Sequence, residues 1–213
     1  MISNNYLLKL KTQLPSGVNL LAVSKGHSVG SIRALALEGQ NAFGESKLQE
    51  ALVKISDLKD MQEIKWHFIG KIQSNKVRSI VKEFEVIHSV DSLKIAERIS
   101  RIAGEEKKIP SIMIQVKLRP DKNKTGFLEN QLLYEWDSLT ALPNIKIIGL
   151  MTISPIDLTI DDRRVLFTQC KTLANKLGLK ECSMGMSGDW KEAVAAGSTW
   201  VRIGSALFGC RKK

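Results

Sequence analysis

The sequence predicts an α/β fold, a single (β/α)8 barrel of the TIM type preceded by an extra N-terminal helix. Short apolar segments rich in β-branched residues alternate with amphipathic segments along the 213 residues, and eight of these apolar segments can be distinguished. Few hairpin signals separate them, so neighbouring strands should be parallel and joined by right-handed helical crossovers. Eight strands in a chain of this length match the small end of the size range of this barrel.

The predicted strands share an apolar, β-branched character that favours buried parallel strands. They cover residues 18–23, 41–44, 64–69, 84–90, 111–118, 145–151, 181–184 and 199–203.

The predicted helices have spaced apolar residues and recognisable ends. Asp91 can act as the N-cap of one helix, which should stop at Gly104, and Pro143, Gly178 and Gly197 mark the ends of three others. The helices cover residues 2–14, 28–38, 48–58, 74–82, 91–103, 129–142, 160–177 and 190–196.

An open, doubly wound sheet is the alternative arrangement of the same elements. No GxGxxG motif follows the first strand and no GxxxxGK[ST] motif occurs in the chain, which excludes the usual nucleotide-binding forms of that alternative. No low-complexity linker interrupts the pattern, so residues 1–213 are expected to form one domain.

The composition is typical of a soluble globular protein, with 43% hydrophobic and 25% charged residues. No apolar run approaches the roughly 18 residues that span a membrane. The N-terminus lacks an apolar signal-peptide segment, so the expected location is the cytoplasm. Cys170, Cys182 and Cys210 are far apart and odd in number, which predicts reduced thiols and neither a disulfide framework nor a metal site.

The net charge of +10 is compatible with binding to nucleic acid, to an anionic membrane or to a phosphorylated small molecule. The basic residues are scattered, however, and only Lys107 with Lys108 and the tail 211–213 are dense. No zinc-finger or RNP-type motif accompanies them, and aromatic residues make up only 6%. A solvated basic surface is the expected explanation, with neither nucleic acid nor membrane as a partner.

Lys25 directly follows the first predicted strand and should point into the mouth of the barrel, where active sites of this fold lie. Lysine is seldom buried, and partial loss of hydration favours its neutral, nucleophilic form. Such a lysine can form a Schiff base with an aldehyde. The residue alone also allows a lysine that reaches out to solvent at the rim, or an electrostatic anchor for an anion.

Two turns rich in glycine and serine follow the last two predicted strands. Ser187 and Gly188 join the seventh strand to a helix, and Gly204 and Ser205 follow the eighth. Phosphate groups often bind after strands seven and eight of this barrel, where main-chain N–H groups are available. Each turn alone could be an ordinary loop, but the two together predict a phosphate site.

Three further side chains lie near predicted strand ends. Arg202 alternates with two apolar residues, so it should point away from them, where it could contact a phosphate or hydrogen-bond a pyridine nitrogen. The guanidinium keeps its proton, so that nitrogen would stay unprotonated and the ring would be a weak electron sink. His67 suits a catalytic role or a place in the core, and Met151 could pack on a flat ring or belong to the core.

The chain resembles the pyridoxal phosphate homeostasis protein family, which is similar in fold to the barrel domain of bacterial alanine racemase. The resemblance extends over residues 20–209 and rests on motifs that are specific in combination. These motifs are residues 21–25 (LAVSK), 43–45 (FGE), 66–70 (WHFIG), 73–76 (QSNK), 149–151 (GLM), 184–187 (MGMS) with Asp189, and 201–204 (VRIG) with 208–209 (FG).

The resemblance implies that the chain binds pyridoxal 5′-phosphate (PLP) through an imine on Lys25. It implies that Arg202 faces the pyridine nitrogen and that the two Ser/Gly turns hold the phosphate. Family members often carry Asn after the Phe-Gly-Glu motif, and the shorter Ser46 of this chain weakens any contact from that position. The implied cofactor-binding residues are Lys25, Ser46, His67, Met151, Ser187, Gly188, Arg202, Gly204 and Ser205.

The resemblance also implies a role, that of a non-catalytic PLP carrier or regulator that controls free PLP and, through it, amino-acid and keto-acid pools. PLP-dependent apoenzymes are candidate recipients, and a monomer is expected.

The alternative is a PLP-dependent racemase, which needs a second acid/base and a second β-domain. In alanine racemase this acid/base is a Tyr from the partner subunit. Tyr6 and Tyr134 lie away from the predicted strand ends, and no further domain is expected after the eighth strand. A third hypothesis is a PLP-free barrel that binds a phosphorylated metabolite, with Lys25 as an anion anchor.

Overall fold

Eight parallel strands form a closed barrel in the computed structural model, which describes residues 4–121 and 124–209. They pair in chain order, and the last strand pairs back to the first, so the predicted fold class is confirmed. The strands are β1 (Asn19–Val23), β2 (Ala42–Glu45), β3 (Lys65–Phe68), β4 (Val86–Val90), β5 (Ser111–Gln115), β6 (Lys146–Met151), β7 (Glu181–Met186) and β8 (Trp200–Ile203).

Helices connect the strands and surround the barrel. A short 3₁₀ helix (Ser74–Lys76) precedes one of them, and a short helix after β8 was not predicted. The helices are α1 (Asn4–Gln13), α2 (Val29–Leu37), α3 (Leu48–Asp57), α4 (Val77–Glu83), α5 (Leu93–Glu105), α6 (Glu129–Thr140), α7 (Ile160–Lys176), α8 (Trp190–Ala195) and α9 (Ser205–Phe208).

The main hydrophobic core lies between the outer face of the barrel and the helices. Ala22 and Phe43 of neighbouring strands belong to it together with Ile32 and Leu35 of α2. The alternate strand residues point into the barrel because side chains on a strand alternate between its two faces. Several of these inward residues are polar, and they lead towards the candidate site described below.

The helix predicted over residues 91–103 differs from α5 at both ends. The N-cap is Ser92 and not Asp91, and the helix continues through Gly104. The left-handed residue that follows this helix is Lys107, with φ of 53°. A Cβ at Gly104 would lie 2.6 Å from the side-chain nitrogen of Asn144, so this glycine permits close packing and does not end the helix.

Other predicted boundaries also shift. β5 ends at Gln115 and not at residue 118, because Val116 forms only an isolated bridge with Phe127 and the chain then leaves the barrel. Predictions for residues 2–3, Cys210 and the tail 211–213 lie outside the described residues.

Cys170 and Cys182 are buried free thiols. Within residues 4–121 and 124–209, no helix has the length and apolar character needed to cross a bilayer.

Gly149 in β6 should not tolerate a side chain. A Cβ there would lie 2.2 Å from the main-chain oxygen of Glu181 in β7, so Gly149→Ala must push the two strands apart. We expect urea denaturation to show a loss of about 1–3 kcal/mol in the free energy of unfolding.

Gly30→Ala in α2 is the matched control for this strand substitution. Its Cβ would meet only the Ser28 hydroxyl, at 3.9 Å, and alanine favours a helix more than glycine does. The control should be neutral or stabilising by up to about 1 kcal/mol. A Gly149→Ala variant as stable as the control would contradict the β6–β7 register.

Candidate functional site

A cavity of about 530 Å³ opens at the carboxyl ends of the strands, and its volume is that of a small-molecule site. It is lined by side chains from both ends of the sequence, as a closed barrel allows. The predicted binding residues that line it are Lys25 after β1, Met151 at the end of β6, Ser187 and Gly188 after β7, Arg202 in β8, and Gly204 and Ser205 after β8.

Ser46 and His67, two further predicted binding residues, do not line this cavity. Ser46 borders a neighbouring groove of about 490 Å³ together with Lys47 and Lys71. His67 is 2% exposed and lies inside the barrel, where its ring is 4.9 Å from that of Trp200. Its position corresponds to the core role that the sequence left open.

A buried ammonium lies behind the turn that carries Lys25. Lys54 is 4% exposed, and its Nζ donates to the main-chain oxygen of Ser24 at 2.7 Å. The same nitrogen donates to Oε1 of Glu45 at 2.7 Å and to Oε1 of Glu50 at 2.6 Å. An ammonium has three N–H donors, so this charge is fully hydrogen-bonded.

The two carboxylates of this cluster also hold the residues on either side of Lys25. Oε1 of Glu45 accepts from the Ser24 hydroxyl at 2.7 Å, and Oε1 of Glu50 accepts from the Gly26 N–H at 2.5 Å. Burial raises the pKa of Glu45, although its bonds to the cluster act in the opposite direction. The main chain that presents Lys25 is therefore anchored on both sides.

Arg202 lies 5% exposed in the cavity wall and is held by neutral acceptors. Its NH1 donates to the main-chain oxygen of Ser183 at 2.6 Å and to the Ser183 hydroxyl at 2.8 Å, and its NH2 donates to Thr152 O at 2.8 Å. Among the described residues these bonds use three of the five guanidinium N–H donors and leave two for a ligand. Burial lowers the pKa of Arg202 to about 10, so it stays protonated at neutral pH.

A chain of hydrogen bonds continues from Arg202 into the barrel. The Ser183 hydroxyl lies 2.9 Å from Nδ1 of His88, and Nε2 of His88 lies 2.9 Å from Nδ1 of His67. Burial lowers the pKa of His67 to about 3 and that of His88 well below its usual value. Both rings are therefore neutral at physiological pH, and each offers one donor and one acceptor to the chain.

The two Ser/Gly turns meet at one wall of the cavity. The Ser205 hydroxyl lies 3.5 Å from that of Ser187, and a Cβ added to Gly188 would meet nothing within 4 Å. Oδ1 of Asp189 accepts from the Met186 N–H at 2.6 Å, which fixes the shape of the β7–α8 turn. Hydroxyls and main-chain N–H groups are thus available to an anion here.

Further residues line the cavity. Lys124, Arg163 and Ile156 were not predicted, whereas Asp189 and Ile69 belong to the motifs that carry the resemblance. Together with the predicted Lys25 and Arg202, the described lining carries four cations and one carboxylate, which suits an anionic ligand.

The sequence contains a signal for the buried cluster around Lys54 but none for the charged residues Lys124 and Arg163 that line the cavity. Lys54 lies at helical spacing from the buried Leu48 and Ala51 of α3, so a lysine on an apolar face could have been noticed. Lys124 reaches the cavity from a loop and Arg163 reaches it from the side of a helix. The spacing of apolar residues in the sequence does not show that either side chain points there.

Known proteins resemble the whole chain. Residues 2–212 match the family model described as alanine racemase, N-terminal domain. A pyridoxal phosphate homeostasis protein of Synechocystis sp. is 46% identical over 217 residues, which cover 99% of this chain and 100% of the relative. A protein of the same name from Pseudomonas aeruginosa is 41% identical, with 92% of this chain and 86% of the relative covered.

Solved structures share the barrel. PipY of Synechococcus elongatus, in a structure without PLP, has a TM-score of 0.96 at 46% identity, with 98% of this chain and 100% of that chain covered. Its structure with PLP bound has a TM-score of 0.94 at 45% identity, with 97% and 99% covered. An alanine racemase of Clostridium difficile has a TM-score of 0.76 at 16% identity, with 98% of this chain and 56% of the racemase covered. This likeness shows the fold alone.

Lys54→Met should destabilise the protein by about 3–5 kcal/mol, because it leaves the fully buried Glu45 without its cation. Urea denaturation at neutral pH measures this loss. Lys47→Met is the control, since Lys47 is exposed just before the same helix and its loss should cost less than about 0.5 kcal/mol. Similar losses in the two variants would contradict the proposed importance of the buried cluster.

Protonation of the buried histidines should destabilise the fold in mild acid. An unfolded histidine has a pKa of about 6.5, whereas that of His67 is about 3 in the folded state. Between these values the unfolded state binds more protons, so the free energy of unfolding falls as the pH falls below about 6.5. Each histidine contributes up to roughly 1.4 kcal/mol per pH unit.

His67→Asn should reduce this pH slope, measured by denaturant unfolding between about pH 5 and 6.5. The raised pKa of Glu45 acts with the opposite sign, and the comparison of variant with wild type cancels its contribution. An unchanged slope in His67→Asn would mean that His67 is not held neutral by burial.

Proposed function

Because the chain belongs to the pyridoxal phosphate homeostasis protein family, we propose that it binds PLP and helps to control the supply of this cofactor, with indirect effects on amino-acid and keto-acid metabolism. The observation that carries the proposal is the placement of Lys25, Arg202 and two Ser/Gly turns around one cavity. The names of the relatives and the PLP bound to PipY support it.

The aldehyde end of PLP fits the Lys25 side of the cavity. PLP bound here would supply an aldehyde carbon, which the side-chain amine of a lysine would hold covalently. Lys25 is half-buried in the cavity wall, and the hydrogen bonds of Ser24 and Gly26 fix the turn from which it projects. We infer that Lys25 provides the amine, because a fixed turn lowers the entropy lost on bond formation.

The other groups of PLP fit the remaining walls. The bonds of Arg202 to described residues leave it two N–H donors, one of which can donate to the pyridine nitrogen, and Met151, 1% exposed, can pack against the ring. Ser187 and Ser205, with the main chain of Gly188 and Gly204, are proposed to bind the phosphate. Ser46 and His67 remain predicted binding residues whose side chains would have to act from outside this cavity.

We propose that the protein holds PLP without using it for turnover. No Tyr or His is found among the described residues that line the cavity, and the monomer proposed below would have no partner subunit to supply a second acid/base. Tyr134 lies 88% exposed on α6. Arg202 would keep the pyridine nitrogen unprotonated, which makes the ring a weak electron sink.

We further propose that residues 1–213 form one PLP-binding domain that is a cytoplasmic monomer. The buried free thiols of Cys170 and Cys182 are consistent with a reducing compartment. PLP-dependent apoenzymes are candidate recipients of the cofactor. Ile156, 94% exposed, and Met186, 38% exposed, both at the cavity, leave its mouth open to such a partner.

Borohydride reduction of the protein loaded with PLP should fix one pyridoxyl group on Lys25. The wild type should show the absorption band of a lysine-bound imine, and peptide mass mapping after reduction identifies the lysine. Lys25→Ala should lose the band and the label but keep weak binding through the phosphate. Lys47→Ala, at an exposed lysine outside the cavity, is the control and should label as the wild type does.

Two results would overturn parts of this proposal separately. A wild-type protein that stays colourless and unlabelled after addition of PLP would refute PLP binding. Racemisation of L-alanine or another amino acid at ordinary enzymatic turnover, on the order of 1 per second or faster, would refute the non-catalytic role.

A further inference from the structure

Arg163 reaches the cavity from α7 and lies beside one of the turns proposed to bind the phosphate. It is half-buried and lines the cavity. Its NH1 is 3.5 Å from the main-chain oxygen of Gly188, and its NH2 is 3.3 Å from that of Ile156. Both distances are long for a charged donor, so the main chain holds this guanidinium only weakly.

The adjacent Arg164 shows how a surface arginine behaves in the same helix. Its side chain is 62% exposed and donates to Asp161 at 3.1 Å. Asp162, the other acid of this first turn, accepts from the hydroxyl of Thr159. Arg163 forms no ion pair with any described residue, although acids are this close in sequence. It turns instead towards the cavity.

One donor of Arg163 indicates what the side chain is suited to bind. Its Nε is buried and has no hydrogen-bond partner among the described residues. A buried, charged donor left unpaired is costly, and native structures pair nearly all such groups. A guanidinium with an unpaired Nε and weakly held NH groups matches an oxyanion, which it can contact through two parallel N–H groups.

The proposed phosphate turns create a need for such a cation. The hydroxyls of Ser187 and Ser205 and the N–H of Gly188 are neutral donors, whereas a phosphate monoester carries about −1.5 to −2 charges at pH 7. Asp189 adds a negative charge to the same turn. A positive side chain beside Gly188 would offset both, and Arg163 is in contact with that residue.

We propose that Arg163 is a further cofactor-binding residue, whose guanidinium supplies the positive charge opposite the phosphate of PLP. This inference rests on the proposed PLP binding. The other cavity cations have other roles: Lys25 is assigned to the aldehyde and Arg202 to the pyridine nitrogen, and Lys124 bonds to Ser154 O at 3.0 Å and lies 3.4 Å from Asp121.

The experiment compares PLP with pyridoxal, which lacks the phosphate, by isothermal titration calorimetry of the full chain. Arg163→Met should raise the Kd for PLP about 10- to 100-fold, because a charge-assisted bond to phosphate is lost. The Kd for pyridoxal should change less than about twofold. Arg164→Met removes the same charge one position along, from an exposed site, and should leave the Kd for PLP within about twofold.

The outcomes separate a phosphate contact from a structural link between the Ile156 and Gly188 loops. Equal losses for PLP and pyridoxal in Arg163→Met, an unchanged Kd for PLP, or an equal loss in Arg164→Met would each overturn the assignment. Arg163→Lys keeps the charge and should recover part of the affinity for PLP, which guards against a folding defect. If the wild type and Arg163→Met bind PLP equally well, only this inference is refuted. If the wild type binds neither PLP nor pyridoxal, the proposed function is refuted as well.

Discussion

Closure of the barrel between its first and last strands is the constraint on which the candidate site depends. Leu21 in β1 pairs with Arg202 in β8, across most of the length of the chain. This register carries Lys25 and the turn at Gly204 to the same rim. Because strand side chains alternate between two faces, a slip of one residue would turn Arg202 out of the barrel. The pairing that encloses the core therefore also assembles the site.

Two buried cations lie near this rim, and their partners give them different roles. Lys54 is surrounded by the carboxylates of Glu45 and Glu50, so its charge is neutralised within the protein. Among the residues that the structure describes, Arg202 bonds to carbonyl and hydroxyl oxygens of Ser183 and Thr152 and to no carboxylate, so its charge remains available to a ligand. Burying an ion without a counter-ion is expensive, which explains a structural role for Lys54 and favours a ligand-directed role for Arg202.

Features of the site that follow from the order of the strands could be predicted from the sequence. Features that depend on the direction of a side chain mostly could not. Lys25 and Ser187 were found because residues that follow parallel strands must meet at one rim. His67 was ambiguous, because its height inside the barrel depends on strand stagger, which the pattern of apolar residues does not give. Arg163 and Arg164 are adjacent in α7, and only the rotation of about 100° between them decides which one faces the cavity.

The main chain is held more tightly at one end of the proposed cofactor site than at the other, and this difference bears on the proposed role of holding and releasing PLP. The turn at Lys25 is tied by short bonds from Ser24 and Gly26 to a buried cluster. The rim near Ile156 is tied to Arg163 by long bonds, and the Ile156 side chain is almost fully exposed. Movement of that rim would weaken the hold on a phosphate and leave the cluster behind Lys25 intact. With the proposed imine on Lys25, release would require hydrolysis or exchange at that one bond and a local loop movement, and the barrel would stay intact.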